Sequence, residues 1–397
     1  MFVNRVIQIV SVVRVSLGSL PDRLGTAVVA MLGFAGVVLV FSGMLSIREG
    51  FQNVVQRNGS PEVAMVMRGG STAELNSGVS LEASRIIAQA PGVAMDEQGA
   101  IVSPEVLLVV DAPRRSTGSD SNVPFRGVTE RGFIIHDKVR IIDGRAFEAG
   151  RGEVIIGRQA AVQYEGLDIG KELRWSGFSW RVVGVFEAGG GLEESELWTD
   201  ARTAQTAFQR GTYFQSVYVK LVSVDAFQPF KDSLTSNPQL NVTVQRQDEY
   251  LRAQTEFLSL FVTVAGGVIA FLMGLGAVFG AVNAMYATVS SRTLEIATLR
   301  AIGFGRLPVL ASVLFEAMLL GVAGGAVGGA VAWIAFDGFQ TSTLNWASFS
   351  QVAFQFAVTP GLLLQGIALA LVLGALGGFF PAIRAAKLPI AAALRGM

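Results

Sequence analysis

The chain contains no cysteine. That excludes a disulfide framework, a thiolate metal site and a cysteine nucleophile. It contains one histidine, His136. A histidine pair for zinc is therefore excluded, and the ring is expected to be a surface or structural residue. Neither sign of charge is in excess: 31 Lys and Arg face 31 Asp and Glu. That balance points to no nucleic acid and no acidic partner. A nucleotide-binding loop is also missing. In "GLDIGKE", 166–172, the glycine spacing is one residue short of a Walker A loop. Glu172 stands where the magnesium-binding hydroxyl must be. No motif groups a nucleophile, a base and an orienting acid.

What the chain has is apolar surface and glycine. Of its 397 residues, 51% are hydrophobic and 46 are glycine, and the mean hydropathy is +0.48. Those values suit some membrane helices plus a large water-exposed domain. Crossing the hydrocarbon core takes about 20 mostly apolar residues. Four stretches qualify: 24–47, 257–291, 309–336 and 361–381, the last closed by Pro381. The second would be roughly 50 Å long as one helix and is expected to project into water.

Short loops orient these spans. Arg5, Arg14 and Arg23 precede the first; Arg292, Arg300 and Arg306 lie between the second and third; Arg384, Lys387 and Arg395 follow the fourth. The loop 337–360 has no Lys or Arg. Positive charge marks the cytoplasmic side. Both termini, including the tail 382–397, are expected inside, with 48–256 and 337–360 outside. Residues 1–23 place Phe2, Val6, Ile9, Val10, Val13 and Leu17 on one helical face, which predicts an amphipathic helix on the inner surface.

The segment 48–256 has a different texture. Val- and Ile-rich runs at 61–70, 99–110, 152–158 and 178–191 predict strands, while 80–93, 158–170 and 223–238 predict helices. The class is α+β, inserted between the first and second spans. Helical periodicity continues past the first span through Phe51 and Val55, and precedes the second through Tyr250 and Leu251. Two helical stalks are therefore expected to carry the domain. "GGLEESELW", 190–198, reads as a solvated acidic loop before it reads as a cation site, so no metal ligand is assigned.

Within the membrane spans, Glu316 is the one ionisable residue. Such residues are functional candidates, although this one lies near the inner interface, where an ion pair with a nearby arginine is expected. Glycines recur every four residues: Gly321, Gly325 and Gly329 in the third span, Gly276 and Gly280 in the second, Gly374 and Gly378 in the fourth. Such stripes let helix backbones approach closely, within one chain or between two. Between the second and third spans, 292–308 forms a charged island. Arg292 and Glu295 are three apart and close enough to pair. Leu294, Ile296, Leu299 and Ile302 can anchor the helix at the membrane or on a partner, and Arg300 can reach an acidic partner surface.

The stretch 283–329, with "RTLEI" and "LRAIG" followed by a Glu-containing, glycine-rich helix, resembles the FtsX-like permease family. This is the MacB, FtsX and Lol type of ABC transporter membrane subunit. "FFPAIRAAKLPIAAALRG", 379–396, resembles that family's C-terminal signature, and "GEVIIGRQAAVQYEGLDIGKEL" resembles part of its outer domain. The resemblance implies a non-catalytic, multi-pass permease of the bacterial inner membrane. It binds no cofactor itself, and ATP and magnesium sit on a separate cytoplasmic ATPase present in two copies. It also implies that 292–308 is a coupling helix, with Arg292, Thr293, Glu295, Ile296, Leu299, Arg300 and Gly303 as the docking set. A second permease subunit, identical or related, is implied, with membrane lipids around both and possible contact with a periplasmic adaptor or lipoprotein carrier. The same residues would serve a signalling subunit controlling an outside hydrolase. A secondary carrier is disfavoured by four helices without a midplane charge pair.

Overall fold

A computed structural model of the protein describes residues 8, 10–14, 18, 24–345, 350–390 and 393. The expected surface helix 1–23 lies mostly outside the described residues; those described within it are helical. In chain order the helices are α1 (Leu24–Asn58), α2 (Leu81–Ala88), α3 (Gly132–Ile135), α4 (Arg158–Gln163), α5 (Ala201–Ala207), α6 (Phe227–Thr235), α7 (Gln247–Ser291), α8 (Thr293–Ala301), α9 (Arg306–Phe336) and α10 (Pro360–Ala386). The chain divides into a helical unit, 1–49 with 258–339 and 356–397, and a sheet unit, 50–257 with 340–355.

In the helical unit, α1, α7, α9 and α10 are long and apolar enough to cross a membrane. Two local results differ from expectation. α10 does not stop at Pro381 but runs through it to Ala386. Proline removes one backbone hydrogen bond, and membrane helices tolerate this because packed neighbours hold the rest; Pro381 is buried here. At its other end Thr359 Oγ1 accepts a hydrogen bond from Leu362 N, and Pro360 occupies the first turn, where its missing N–H costs nothing. The second difference lies in 337–360, which forms a hairpin, Gln340–Asn345 paired with Ser350–Gln355. Its Ser, Thr and Gln content hid it from a search for Val- and Ile-rich runs.

The sheet unit is built on one ten-stranded mixed sheet. Its strands are β1 (Val63–Arg68), β2 (Val102–Pro113), β3 (Asp120–Val128), β4 (Arg140–Gly144), β5 (Glu153–Gly157), β6 (Glu172–Trp175), β7 (Phe178–Glu187), β8 (Leu197–Asp200), β9 (Ser216–Lys220) and β10 (Val242–Arg246). The spatial order is β10-β1-β9-β2-β3-β8-β5-β7-β4, with β6 pairing β7. The pairs β3–β8 and β5–β7 are parallel; the others are antiparallel. Strand β2 is shared by two lobes: Val102 to Glu105 pair with β9, and Val106 to Pro113 pair with β3.

Each lobe has its own core. In one, Val66, Val217, Ile87, Phe230 and Leu234 pack α2 and α6 on β1 and β9. In the other, Val106, Leu108, Phe125, Val154 and Trp180 pack with α5, and Trp180 meets Phe125 edge-on at 4.9 Å. Side chains alternate across a strand, so β3 sends Phe125 into this core and Arg126 to the opposite face. The expected helix at 158–170 shortens to α4, because Tyr164 bridges back to Arg114 in extended form.

Candidate functional site

The island between α7 and α9 is a short helix held at both ends. Arg292 sits before α8 as its N-cap and is buried. Its Nε and Nη2 donate to the two Glu295 carboxylate oxygens at 2.9 and 2.7 Å, a bidentate geometry that fixes both planes. Its Nη1 donates to Glu316 Oε2 on α9 at 3.3 Å. The charge inside α9 thus has its partner on the island. Thr293 Oγ1 donates to Ser290 O at 2.8 Å and stays local. Ile296 and Ala297 are buried, and Ile296 packs into the helical core with Val289, Val309 and Val313.

The far end is closed by a glycine. Gly303 has φ +108°, a conformation that penalises a Cβ. Its N–H donates to Arg300 O, and Phe304 N–H donates to Leu299 O, both at 3.2 Å. This is the Schellman arrangement that satisfies the last carbonyls of a helix. Within this chain Arg300 Nη1 donates to Leu388 O at 2.6 Å, just past α10. Leu299 is half-buried. What α8 leaves open is apolar: Leu294 is 44% exposed and Ile302 72%, with Thr298 between them.

The glycine stripes separate into two kinds. A Cβ on Gly321 would lie 2.5 Å from Ala370 O, and one on Gly325 2.9 Å from Ala370 Cβ. One on Gly374 would meet Ala317 O at 2.6 Å, and one on Gly378 would meet Ala317 Cβ at 2.5 Å. Gly329 approaches Leu363 at 3.2 Å. These positions bring α9 and α10 into backbone contact. Gly324 and Gly328, on the next face, do the same toward Met31 and Ala35 of α1. In the described chain, however, nothing lies within 4 Å of a Cβ on Gly276 or Gly280. On α7 the close approaches are instead made by Gly266 to Met44 and Gly377 of α10 to Ala281.

The sheet unit holds a charged cluster that sequence reasoning missed. Arg126 is 5% exposed. Its five N–H groups meet three carboxylates: Nε and Nη2 donate to Glu196 at 2.8 and 3.0 Å, Nη1 and Nη2 to Glu74 at 3.1 Å, and Nη1 to Glu105 at 3.0 Å. Ser216 and Tyr218 donate to Glu74, and Trp198 Nε1 donates to Glu196. His136 Nε2 lies 3.0 Å from Glu105 Oε1. The expected solvated acidic loop is therefore wrong. Glu194 and Glu196 are buried, and Glu194 pairs with Arg158 at 3.3 Å. The signal available was an arginine inside the strand "VPFRGV". Its partners lie 21, 52 and 70 residues away, so no local window could name them.

Burial works against charge on the His136 ring, but Glu105 outweighs it and the ring's pKa is raised. Burial also opposes ionisation of Glu105, yet His136 and Arg126 outweigh it and that carboxyl is lowered. Burial pushes Glu193 up. Among the described residues no group of three His, Cys, Asp or Glu could hold a metal ion.

Comparison with known proteins adds two family matches. The family described as FtsX-like permease C-terminal matches residues 267–390, and that described as MacB-like periplasmic core domain matches residues 27–237. A protein of Paracoccus denitrificans named Macrolide export ATP-binding/permease protein MacB 1/2 is 25% identical over 394 residues, covering 92% of this chain and 55% of that protein. One of Escherichia coli named Macrolide export ATP-binding/permease protein MacB is 25% identical over 332 residues, covering 78% of this chain and 49% of that protein. The chain thus spans about half the length of the curated relatives it matches. Among solved structures, the periplasmic region of MacB from Actinobacillus actinomycetemcomitans aligns at a TM-score of 0.38 and 13% identity, covering 51% of this chain and 96% of that one.

Proposed function

Since the chain belongs to the FtsX-like permease family of ABC transporters and carries its MacB-like periplasmic core domain, we propose that it passes ATP-driven motion of a cytoplasmic ABC ATPase to that domain, for export or extraction of a substrate. The 397 residues hold no Walker A loop, so the nucleotide chemistry is assigned to the ATPase and none to these residues. In this reading α8 is the docking element, both termini are cytoplasmic, and two permease subunits face two ATPases in the inner membrane.

One observation carries the reading. α8 is clamped to α9 through Arg292 and Glu316 and to the end of α10 through Arg300 and Leu388, while Leu294 and Ile302 are left exposed on it. A push on such a helix is delivered to two apolar helices at once. Exposed apolar side chains beside arginines suit a protein partner, because aliphatic anchors ringed by polar groups form the energetic centre of an interface. α1 and α7 are each continuous helices of 35 and 45 residues, and in this reading they are the stalks that carry the motion outward.

The test is co-purification of the tagged chain with its ABC ATPase. Ile302→Asp is expected to abolish ATPase recovery while membrane levels stay unchanged, because Ile302 is exposed and its loss opens no cavity. Full ATPase recovery with Ile302→Asp and with Leu294→Asp would sink the docking role of α8.

A further inference from the structure

The sheet unit contains a cavity of about 140 Å³ whose wall includes His136, Glu193, Ser60 and Gln247, with Asp137 and Lys138 beside them. Two buried atoms there have no hydrogen-bond partner: His136 Nδ1 and Glu193 Oε2. The closest approach between the two side chains, His136 Nδ1 to Glu193 Oε1, is 4.0 Å, too long for a hydrogen bond. Buried polar atoms are rarely left so, because each forfeits the solvation it had in water.

The charges behind this wall do not balance. Glu74, Glu105, Glu193 and Glu196 face Arg126 and His136. With all four carboxyls ionised they outnumber the cations even when the imidazole is protonated, and the unpaired Glu193 is the one whose pKa burial raises. Ser216, Tyr218 and Trp198 donate hydrogen bonds but bring no charge. Asp137 and Lys138 are exposed and offset each other. The shortfall calls for a cation. A neutral His136 that donates from Nε2 to Glu105 presents Nδ1 as an acceptor, and Glu193 Oε2 is a second acceptor. A group complementary to these two acceptors carries positive charge and N–H donors.

We propose that this cavity binds the primary ammonium group of a small amine, or the amine end of a larger molecule. The ammonium has three donors: one goes to His136 Nδ1, one to Glu193, and Gln247 offers a side-chain oxygen on the same wall. A dry cavity of about 150 Å³ holds one benzene, so the space takes an end of roughly six heavy atoms. The site also has a consequence for the chain around it. Gly59 to Pro61 follow directly on α1, Gln247 is the first residue of α7, and Ser60 N donates to Gln247 Oε1 at 3.3 Å. An occupant touches both segments that lead into the long helices. The inference stands apart from ATPase docking and survives if α8 docks nothing.

The sole histidine makes the test direct. The full chain in lipid nanodiscs, labelled with ¹⁵N-histidine, gives one pair of ring nitrogen signals. Above the raised pKa of His136, where the imidazole is neutral and a primary amine is still an ammonium, n-butylammonium is expected to shift the Nδ1 signal saturably, and Glu193→Gln is expected to weaken that binding at least tenfold. Tetramethylammonium has the same charge but no N–H, and is expected to give no saturable shift. Equal response to the two cations, no saturation with n-butylammonium, or unchanged affinity in Glu193→Gln would each overturn the assignment. The comparison of the two cations uses the unmutated chain, so it decides the matter even if the variant fails to fold.

Discussion

Arg126 uses every donor it has, which makes it irreplaceable by a residue with fewer. Arg126→Met would leave Glu74, Glu105 and Glu196 buried around an apolar chain. Removing one partner of a buried ionic group costs about 3–5 kcal/mol, and here three carboxylates lose theirs. The expected outcome is a sheet unit that unfolds at much lower temperature, followed by the fluorescence of Trp175, Trp180 and Trp198. Arg126→Lys should rescue little, since an ammonium has three donors and lacks the planar fork. A pH prediction follows from the neighbouring pair. His136 is raised above its ordinary 6.5, so its contribution is complete below that value and lost as pH climbs through the raised pKa. Glu105 is lowered below 4.5, so its contribution is complete above that value and lost as pH falls through the lowered pKa. Stability of the sheet unit should therefore be highest between about 4.5 and 6.5 and fall toward alkaline pH. Thermal melts across that range check it, and His136→Gln should flatten the alkaline side.

The helices differ in how much they depend on a missing side chain. A Cβ on Gly328 would stand 2.3 Å from Ala35 O, and on Gly321 2.5 Å from Ala370 O. Backbone oxygens cannot step aside as a flexible side chain would. Gly328→Ala and Gly321→Ala are expected to separate α9 from its neighbours and lower the yield of monodisperse protein in detergent. Gly276→Ala and Gly280→Ala meet open space and are expected to leave single-chain folding unchanged; lost yield there would point to a contact between chains. On α8, Glu295→Lys replaces half of the bidentate pair with a like charge beside Arg292. Helix propensity barely changes, since Glu and Lys are close on that scale. The expected result is unchanged membrane level with reduced ATPase co-purification, because the docking helix is no longer oriented by Arg292. The pair itself was legible from its three-residue spacing. Arg300's partner was not: Leu388 is 88 positions away and contributes a backbone oxygen, which any residue could supply.

At the scale of the molecule, orientation is the point on which the proposed function turns. A chain without cysteine can be labelled at single introduced sites with no background. Ser119→Cys, exposed in the sheet unit, is expected to react with an impermeant maleimide on intact spheroplasts. Ser291→Cys, at the end of α7, should react after permeabilisation only. Labelling of Ser291→Cys from outside would reverse the topology and remove α8 from any cytoplasmic ATPase.

Features that depend on a run of neighbouring residues were set by the sequence alone. The four apolar helices were visible because spanning a bilayer requires length and composition, both local properties. Helix α2 was visible from Ser80 and the spacing of Ile86 and Ile87, and Ser80 Oγ does cap Ala83 N at 3.1 Å. Family membership was legible in one contiguous stretch around "RTLEI". Features that depend on which distant residues meet were decided by the tertiary structure. The glutamates of 193–196 read as solvated because acidic side chains are costly to bury, and that cost is met at Glu196 by Arg126 and at Glu194 by Arg158, from elsewhere in the sheet unit. Pro381 read as a helix end because its local effect is to break one, and packing inside the helical unit overrode it. Equal glycine spacings on α7 and α9 read alike, yet only the three-dimensional arrangement put a backbone against one stripe and none in this chain against the other. Spacing along a chain fixes which side chains share a face; what that face meets is settled by the rest of the fold.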